Sequence, residues 1–527
     1  MNFRNRVAVL AGSAAVVALA GACNPDLNVT NPNEPDIERA LATGSDVRGL
    51  IGSSYATWYQ AMQGPVDGEP LPGLAVAVMA DNMTMAFGNF GARFNGQEPR
   101  LPYNNSSAAG DGRVASTPYD RIYGALGAAN DGLNAIKRGI KPSINKSSPD
   151  ETPQMQTLAF FIQGASLGFQ SLVFDKGFVV DEDTPPGTAV LQPYTAVSTA
   201  ALAKLDKTIA AAAGKTWTVP TEFTPGMTIT ADRLGRMANT LAARQLAYLP
   251  RTATENATVN WARVLSYAEK GISTGEPFDM QIKGDGGNSW GDTFKAYNNL
   301  ESWVRVDQRV IQLADKTQPV VYTTATPPPP VNSPDKRWGS ESANGTDFKF
   351  TKQIPFPVAR GVHFFSQWGH VRYVDHSYEV DAPFLTTVPY VRFSENDLLI
   401  AEALVRTTGD RARAATLINK TRVGRGGLSA LTAGSSTNDL LAAIFYERDI
   451  ELFGTGGGQA WFDRRRIDLS LTYDGLPIGN TWGFRGGSNL QKGTARHLPV
   501  PAKELETLGL PVYTYGGNAP NPVFPEM

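Results

Sequence analysis

A single cysteine, Cys23, stands in a chain of 527 residues, at the end of an N-terminal apolar run. The body beyond it can close no internal disulfide and build no Cys-ligated zinc or iron–sulfur site. Its fold must rest on apolar burial and on pairing of polar groups, and thiol-based catalysis in the body is excluded. The composition allows this: 42% of residues are hydrophobic and 19% charged, a globular balance. With 48 Lys and Arg against 50 Asp and Glu, the net charge is -2. No strong field steers such a chain to nucleic acid or to an anionic membrane surface, so no nucleic-acid partner is expected.

Arg4 and Arg6 precede an uncharged stretch from Val7 to Ala22 that ends in small residues. This is a secretory signal pattern, too short for a comfortable membrane span. The sequence Leu19-Ala20-Gly21-Ala22-Cys23 resembles the bacterial lipoprotein signal, in which the thiol is acylated and becomes the new N-terminus; the favoured Leu lies one place early, at Leu19. Residues 1–22 are thus expected to be a signal peptide, Cys23 the lipidation site, and residues 23–42, polar and Pro-rich, an extended tether. No later segment offers the ~20 apolar residues of a membrane helix, so lipid is expected to be the membrane anchor.

Beyond the tether the dominant signal is helical periodicity. It predicts helices over Thr43–Tyr59, Tyr119–Lys137, Pro153–Phe174, Pro193–Ala212, Thr230–Leu249, Trp261–Ile272, Glu395–Thr407, Arg411–Val423 and Asn438–Phe453. Ala-rich faces, such as Ala242, Ala243 and Ala247, let neighbouring helices approach closely. The pattern is that of a degenerate helical-repeat array without a strict period. Residues 276–392 differ. They hold a Gly-rich stretch (Gly284 to Gly291), four consecutive prolines (Pro327 to Pro330) and many aromatics. The predicted organisation is one globular unit over 43–527. It has helical repeats at about 43–275 and 393–453, a loop-rich insertion at about 276–392, and a loop-rich tail at 454–527.

The final third resembles the SusD/RagB family of outer-membrane nutrient-binding lipoproteins. The resemblance rests on Phe393-Ser394-Glu395-Asn396-Asp397-Leu398-Leu399-Ile400-Ala401-Glu402-Ala403-Leu404 and on Ala414-Ala415-Thr416-Leu417-Ile418-Asn419-Lys420-Thr421-Arg422. It extends through Ile444-Phe445-Tyr446-Glu447-Arg448-Asp449-Ile450-Glu451-Leu452, Trp461-Phe462-Asp463-Arg464-Arg465-Arg466 and Leu498-Pro499-Val500-Pro501. One departure is Gly454-Thr455-Gly456-Gly457-Gly458-Gln459, where the family has a short acidic turn; a longer, floppier loop is expected there. The resemblance implies a mainly α fold of tetratricopeptide-like helix pairs carrying a loop-rich ligand-binding insertion. It also implies a cell-surface, lipid-anchored, non-enzymatic protein of the outer membrane, without cofactor. Such a protein takes up an oligosaccharide or other nutrient and delivers it to a SusC-like TonB-dependent transporter.

Glu447, Arg448 and Glu451 lie within one helical turn. They read either as an acid/base pair or as ion-pair partners of Arg464, Arg465 or Arg466 in a structural corner, the reading favoured here. Gly214-Lys215-Thr216 is no phosphate loop, because Ile209 stands where that motif needs glycine. His363, His370 and His376 are spaced by seven and six residues, which places them on no common helical face, and no metal site is expected. Asp285, Asn288 and Asp292 do not follow a calcium-loop spacing.

The insertion's aromatics carry the binding expectation, because sugar rings stack their apolar C–H faces on flat side chains. Trp290, Tyr297, Trp303, Trp338 and Trp368, joined by Trp58, are the expected ligand-binding residues; Phe364, Phe365, Tyr373, Tyr59, Phe87 and Phe90 are further candidates. Core packing is the competing role for each ring. Two other functions compete with nutrient binding: a helical-repeat assembly protein without a ligand site, and a surface glycoside hydrolase with two carboxylates across a cleft.

Overall fold

The structure is a computed structural model. It describes residues 37–64, 71–109, 113–287, 289–319, 322, 327–467, 472–473, 476–477, 490–491 and 493–517. Cys23, the signal segment, most of the tether and Asn288 lie outside the described residues. The chain divides into two compact units, Met1–Ala42 and Thr43–Met527. The described part of the first is one helical turn, Ile37–Ala40. The second holds the helical array and the insertion.

Helix α1, Gly44–Gln63, starts where the sequence has Thr43 and Asp46: the Thr43 hydroxyl accepts from the Asp46 N–H while the Asp46 carboxylate accepts from the Thr43 N–H. Helix α2, Pro72–Met79, is buried at every residue. It lacks an amphipathic stripe because it has no solvent face, and periodicity missed it for that reason. Helices α3 (Arg113–Lys137), α4 (Thr152–Val173), α5 (Tyr194–Ala212), α6 (Ala231–Tyr248) and α7 (Trp261–Ala268) follow. Successive members pack side by side, α1 on α3, then α3 on α4, α4 on α5, α5 on α6 and α6 on α7. The close approach is explicit at two glycines. A Cβ on Gly132 of α3 would stand 2.3 Å from Ile51 of α1, and one on Gly164 of α4 would stand 2.7 Å from Leu205 of α5.

Helix α7 then packs on a helix more than a hundred residues away. Short helices α8 (Thr293–Asn298) and α9 (Gln308–Ala314) intervene before α10 (Phe393–Arg406), which α7 contacts directly; α11 (Arg411–Arg422) and α12 (Thr437–Ile450) complete the array. The insertion is thus spliced into a spatially continuous set of helices. Its own regular structure is slight: two-stranded antiparallel pairings of β4 (Met280–Lys283) with β8 (Thr387–Val391), and of β6 (Phe348–Phe350) with β7 (Trp368–His370). A third pairing, β1 (Met83–Thr84) with β5 (Arg305–Val306), ties the insertion to the segment after α2, and in the array β2 (Lys176–Phe178) pairs with β3 (Leu191–Pro193) between α4 and α5. Among the described residues no helix is long and apolar enough to cross a membrane.

The glycine run after α12 corrects an expectation. Residues 454–458 are buried, and Gly454, Gly456, Gly457 and Gly458 all take positive φ, which only glycine adopts without strain. The Gly456 N–H donates to the Tyr390 carbonyl at 2.7 Å, and its own carbonyl accepts from Arg244 at 2.9 Å. The run is a tight, bonded turn under the core rather than a loose surface loop.

Candidate functional site

Pairing of β1 with β5 brings the residues after Thr84 beside those before Arg305. Phe87 therefore meets Trp303, with ring centres 5.0 Å apart. Tyr297, on α8, packs on Trp303 at 5.5 Å and on Tyr378 at 5.2 Å. Phe87, Trp303 and Tyr297 are half-buried and Tyr378 is 41% exposed, so the four rings form a partly open ridge. Two buried phenylalanines back it: Phe90 packs on Tyr297 at 4.6 Å, and Phe384 on Tyr378 at 5.2 Å. Both take left-handed backbone, with φ of 63° and 61°. Such conformations cost a bulky residue ~1–3 kcal/mol and persist where the surroundings enforce them, often at binding sites. Arg360 stacks its guanidinium over Phe87 at 5.5 Å and donates to the Ala86 carbonyl. Burial and the Tyr297 hydroxyl push the Tyr378 phenol up to about 12, so the ridge presents neutral hydroxyls beside ring faces.

Of the expected ligand-binding residues, only Tyr297 and Trp303 stand in this ridge. Trp58, Trp290, Trp338 and Trp368 are 1%, 8%, 6% and 2% exposed. Trp58 is enclosed by Tyr55, Phe161, Phe169 and Tyr390. Trp290 leans on Tyr55 and Tyr59, whereas Trp338 stacks on Phe348 at 4.3 Å with Trp368 edge-on at 4.9 Å. A ring packed this way has no face open to a ligand; these four are core residues as the molecule stands, which corrects the expectation. Phe364 and Phe365 belong to a small core beneath Phe87. Tyr378 was missed because its neighbours in sequence are acidic rather than aromatic.

The helical-turn acids have different partners from those expected. Arg337 of the insertion grips Glu447 with both terminal nitrogens, at 2.8 and 2.9 Å, and binds Asp335 with Nε and Nη2. Glu451 is ringed by Arg425, Arg372, Arg392 and Arg337 at 2.8, 3.2, 3.4 and 3.6 Å. Arg448 and Arg466 instead share Glu402 and Asp463, and Arg464 takes Asp449. Arg465 donates to the Arg496 and Tyr248 carbonyls and lies over Trp461. Burial raises the Glu447 carboxyl despite Arg337, while Glu451 is lowered against its burial by the surrounding guanidinium groups. Carboxylates so enclosed cannot touch a substrate, and their geometry is that of a lock between insertion and array. Glu402 could have been noticed as an acid on the apolar Ala401–Ala403 stripe of α10.

The histidines separate. His370 faces Asn298; His376 accepts from the Asp292 N–H through Nε2 and faces Thr386 through Nδ1; His363 lies against Phe364. Burial pushes His376 down to about 4 and holds it neutral. Asp292 is spent on capping α8 and on Lys295 at 2.8 Å, and Asp285 on the Ser289 and Trp290 N–H groups. Asp181, Glu182 and Asp183 bring carboxylate oxygens together as a metal site would. The Glu182 oxygens are already taken by Lys204, Lys207 and Gln163.

Residues 363–506 match the sequence model of the SusD family. No sequence among the curated proteins matches. Among solved structures, the surface glycan-binding protein A from Bacteroides uniformis superposes with a TM-score of 0.57 at 15% identity, covering 88% of this chain and 97% of that one. A SusD superfamily protein from Parabacteroides distasonis gives 0.59 at 12% identity, over 88% and 96%. A SusD-like carbohydrate binding protein from Bacteroides vulgatus gives 0.52 at 13%, over 82% and 85%. The shared fold is mainly α, built on tetratricopeptide-like helix pairs. The final third thus carries the sequence signature of the SusD family, and over most of its length the chain has the fold of SusD superfamily structures.

Proposed function

We propose that this protein is a non-catalytic, lipid-anchored subunit of the outer-membrane surface that binds a glycan and delivers it to a SusC-like TonB-dependent transporter. The observation that carries the reading is the partly open ridge of Phe87, Trp303, Tyr297 and Tyr378, where the insertion of a SusD-like fold meets the segment after β1. Stacked rings with neutral hydroxyls suit the apolar faces and hydroxyl edges of an uncharged sugar chain, and a net charge of -2 adds no strong selection for ions. Glycan-binding proteins share the fold, which supports the ligand class. The enclosed state of Glu447 and Glu451 supports binding over hydrolysis, since a hydrolase needs two carboxylates open to substrate across a cleft.

Calorimetry of the protein starting at residue 23 against a panel of neutral oligosaccharides tests the reading. Binding that is lost in Trp303→Ala and Tyr378→Ala, with melting behaviour kept, is the expected result. Binding unaffected by both places the site elsewhere; no binding across the panel leaves the helical array as an assembly surface. Release of a Cys23→Ala variant from membranes, and co-purification of the native lipoprotein with a TonB-dependent barrel, test the anchor and the partner.

A further inference from the structure

Two rings at one end of the ridge, Tyr297 and Tyr378, stand on different segments of the chain. Tyr297 belongs to α8, and Asp292, the residue that caps α8, anchors it to the array. One Asp292 oxygen accepts from the Lys295 N–H at 2.8 Å. The other accepts from the Tyr59 hydroxyl of α1 at 2.9 Å and from the Lys295 ammonium at 2.8 Å. Tyr378 stands on the segment between His376 and Phe384, where Glu379, Asp381 and Ala382 are exposed. His376 joins the two segments. Its imidazole is buried; Nε2 accepts from the Asp292 N–H at 3.1 Å, and Nδ1 faces the Thr386 hydroxyl at 3.1 Å. Acceptance at Nε2 leaves the proton of the neutral ring on Nδ1, which donates to Thr386. The same ring meets Phe384 edge-on at 5.3 Å, and the His376 carbonyl accepts from the Phe384 N–H at 3.3 Å. Phe384 packs on Tyr378 at 5.2 Å, and Tyr378 on Tyr297 at 5.2 Å. The contacts close a circuit from His376 through Asp292, α8, Tyr297, Tyr378 and Phe384 back to His376. The left-handed backbone of Phe384 is held by its neighbours: the Gly286 N–H donates to its carbonyl at 3.0 Å, and a Cβ on Gly284 would strike that oxygen.

Resting on the glycan reading of the ridge, we propose that His376 is a positioning residue for that site: its bonds to Asp292 and Thr386 fix the separation at which Tyr297 and Tyr378 serve one sugar chain. Tyr378 is 41% exposed, so its place is set from behind, by Phe384 and the imidazole under it. A ring held in advance spares the ligand the entropy of ordering it, which is gained as affinity. Because His376 has no exposed surface, it acts on a ligand only through those rings.

Crystal structures of the native protein and of His376→Leu, both without ligand, measure the separation directly. Leucine fills much of the space but makes neither bond, so the distance between the Tyr297 and Tyr378 rings should grow by about 1 Å, enough to loosen a site. Thr386→Val, a milder change that serves if His376→Leu does not fold, should move the same pair in the same sense. Calorimetry of the protein starting at residue 23 with cellohexaose and maltohexaose reads the consequence. His376→Leu should weaken the tighter-binding hexasaccharide by about tenfold. His376→Gln, whose amide oxygen replaces Nε2 as acceptor, should recover most of that loss. The effect should be confined to one end of the ridge. In the His376→Leu background Tyr378→Ala should cost little more, whereas Phe87→Ala, at the other end, should cost what it does in the native protein. Unchanged ring separation overturns the positioning role, as do displaced rings with unaltered hexasaccharide binding, or losses that fall alike on Tyr378→Ala and Phe87→Ala. Displaced rings in a protein whose native form binds neither hexasaccharide would count against the glycan reading and leave His376 as the residue that sets the ring pair.

Discussion

The helical array and the insertion are held by opposite means. In the array, apolar faces meet across small residues, and the limit on approach is set by glycines such as Gly132 and Gly164. In the insertion, strands are two to five residues long, and cohesion comes from stacked rings and from buried arginine–carboxylate bonds that reach across to Glu447 on α12 and Glu451 at its end. Helices satisfy their own backbone, so an array needs only a stripe of apolar residues. A loop-rich layer must find partners for its polar groups over long sequence distances. The comparison teaches that a region free of helical constraint can shape a candidate site, here with Phe384 in left-handed backbone, while depending on a few charged contacts.

The largest expected effects test whether those charged contacts serve the two regions differently. Glu402→Ala takes from buried Arg448 and Arg466 one of the two carboxylates they share, leaving two guanidinium groups on Asp463 alone, and breaking such a buried network typically costs ~3–5 kcal/mol. Urea unfolding should show this loss as a single lowered transition of the whole protein. Glu447→Ala deprives Arg337 of its bidentate partner and should cost a similar amount, but with proteolysis beginning within 276–392. Simultaneous cleavage of array and insertion would mean that the two do not separate.

Next come the aromatics. Trp368→Ala opens a buried cluster and should lose ~3–5 kcal/mol in thermal or urea melts. Trp303→Ala, half-buried in the ridge, should melt much closer to the native protein while weakening glycan binding by ~2 kcal/mol, about thirtyfold. Equal stability losses in the two variants would erase the distinction between core ring and ridge ring.

In the array, Gly132→Ala places a methyl against Ile51. Alanine is the better helix former, yet overpacking should prevail and destabilise by ~1–3 kcal/mol. A stabilised variant would show that the α1–α3 crossing has slack.

The smallest effect is a pH slope. Burial lowers His376 from 6.5 to about 4 in the folded protein. Between those values the unfolded chain binds the extra proton, so stability is full above pH 6.5 and falls as the pH drops toward 4. Near pH 5 the slope from this group approaches ~1 kcal/mol per pH unit. Urea titrations at pH 7, 6 and 5 should show a shallower decline in His376→Gln than in the native protein; an unchanged slope would assign the effect to other groups.

Nine helices could be read from periodicity because the pattern is local: a residue and those three and four places on share a face whatever the rest of the chain does. The buried helix α2 escaped that logic, since Leu74, Val76 and Val78 point to protein on every side. The aromatic content of the insertion marked it as folded, but could not sort its rings. Trp338 and Trp303 look alike in sequence, and only packing by Phe348 and Trp368 buries the first. Spacing marks the acids at the end of α12 as structural but points them to the nearby Arg464, Arg465 and Arg466, whereas Glu447 pairs with Arg337, 110 positions away.

Local order thus lies in the chain itself: where helices start, which faces are apolar, that the body can use no disulfide, and that residues 276–392 depart from the helical pattern. Tertiary structure alone decided which rings stay open, which arginine meets which carboxylate, and that the glycine run is buried. Those outcomes depend on distances between segments brought together from far apart in sequence. Exposure and pairing are properties of the assembled surface, and no residue carries them before its distant neighbours arrive.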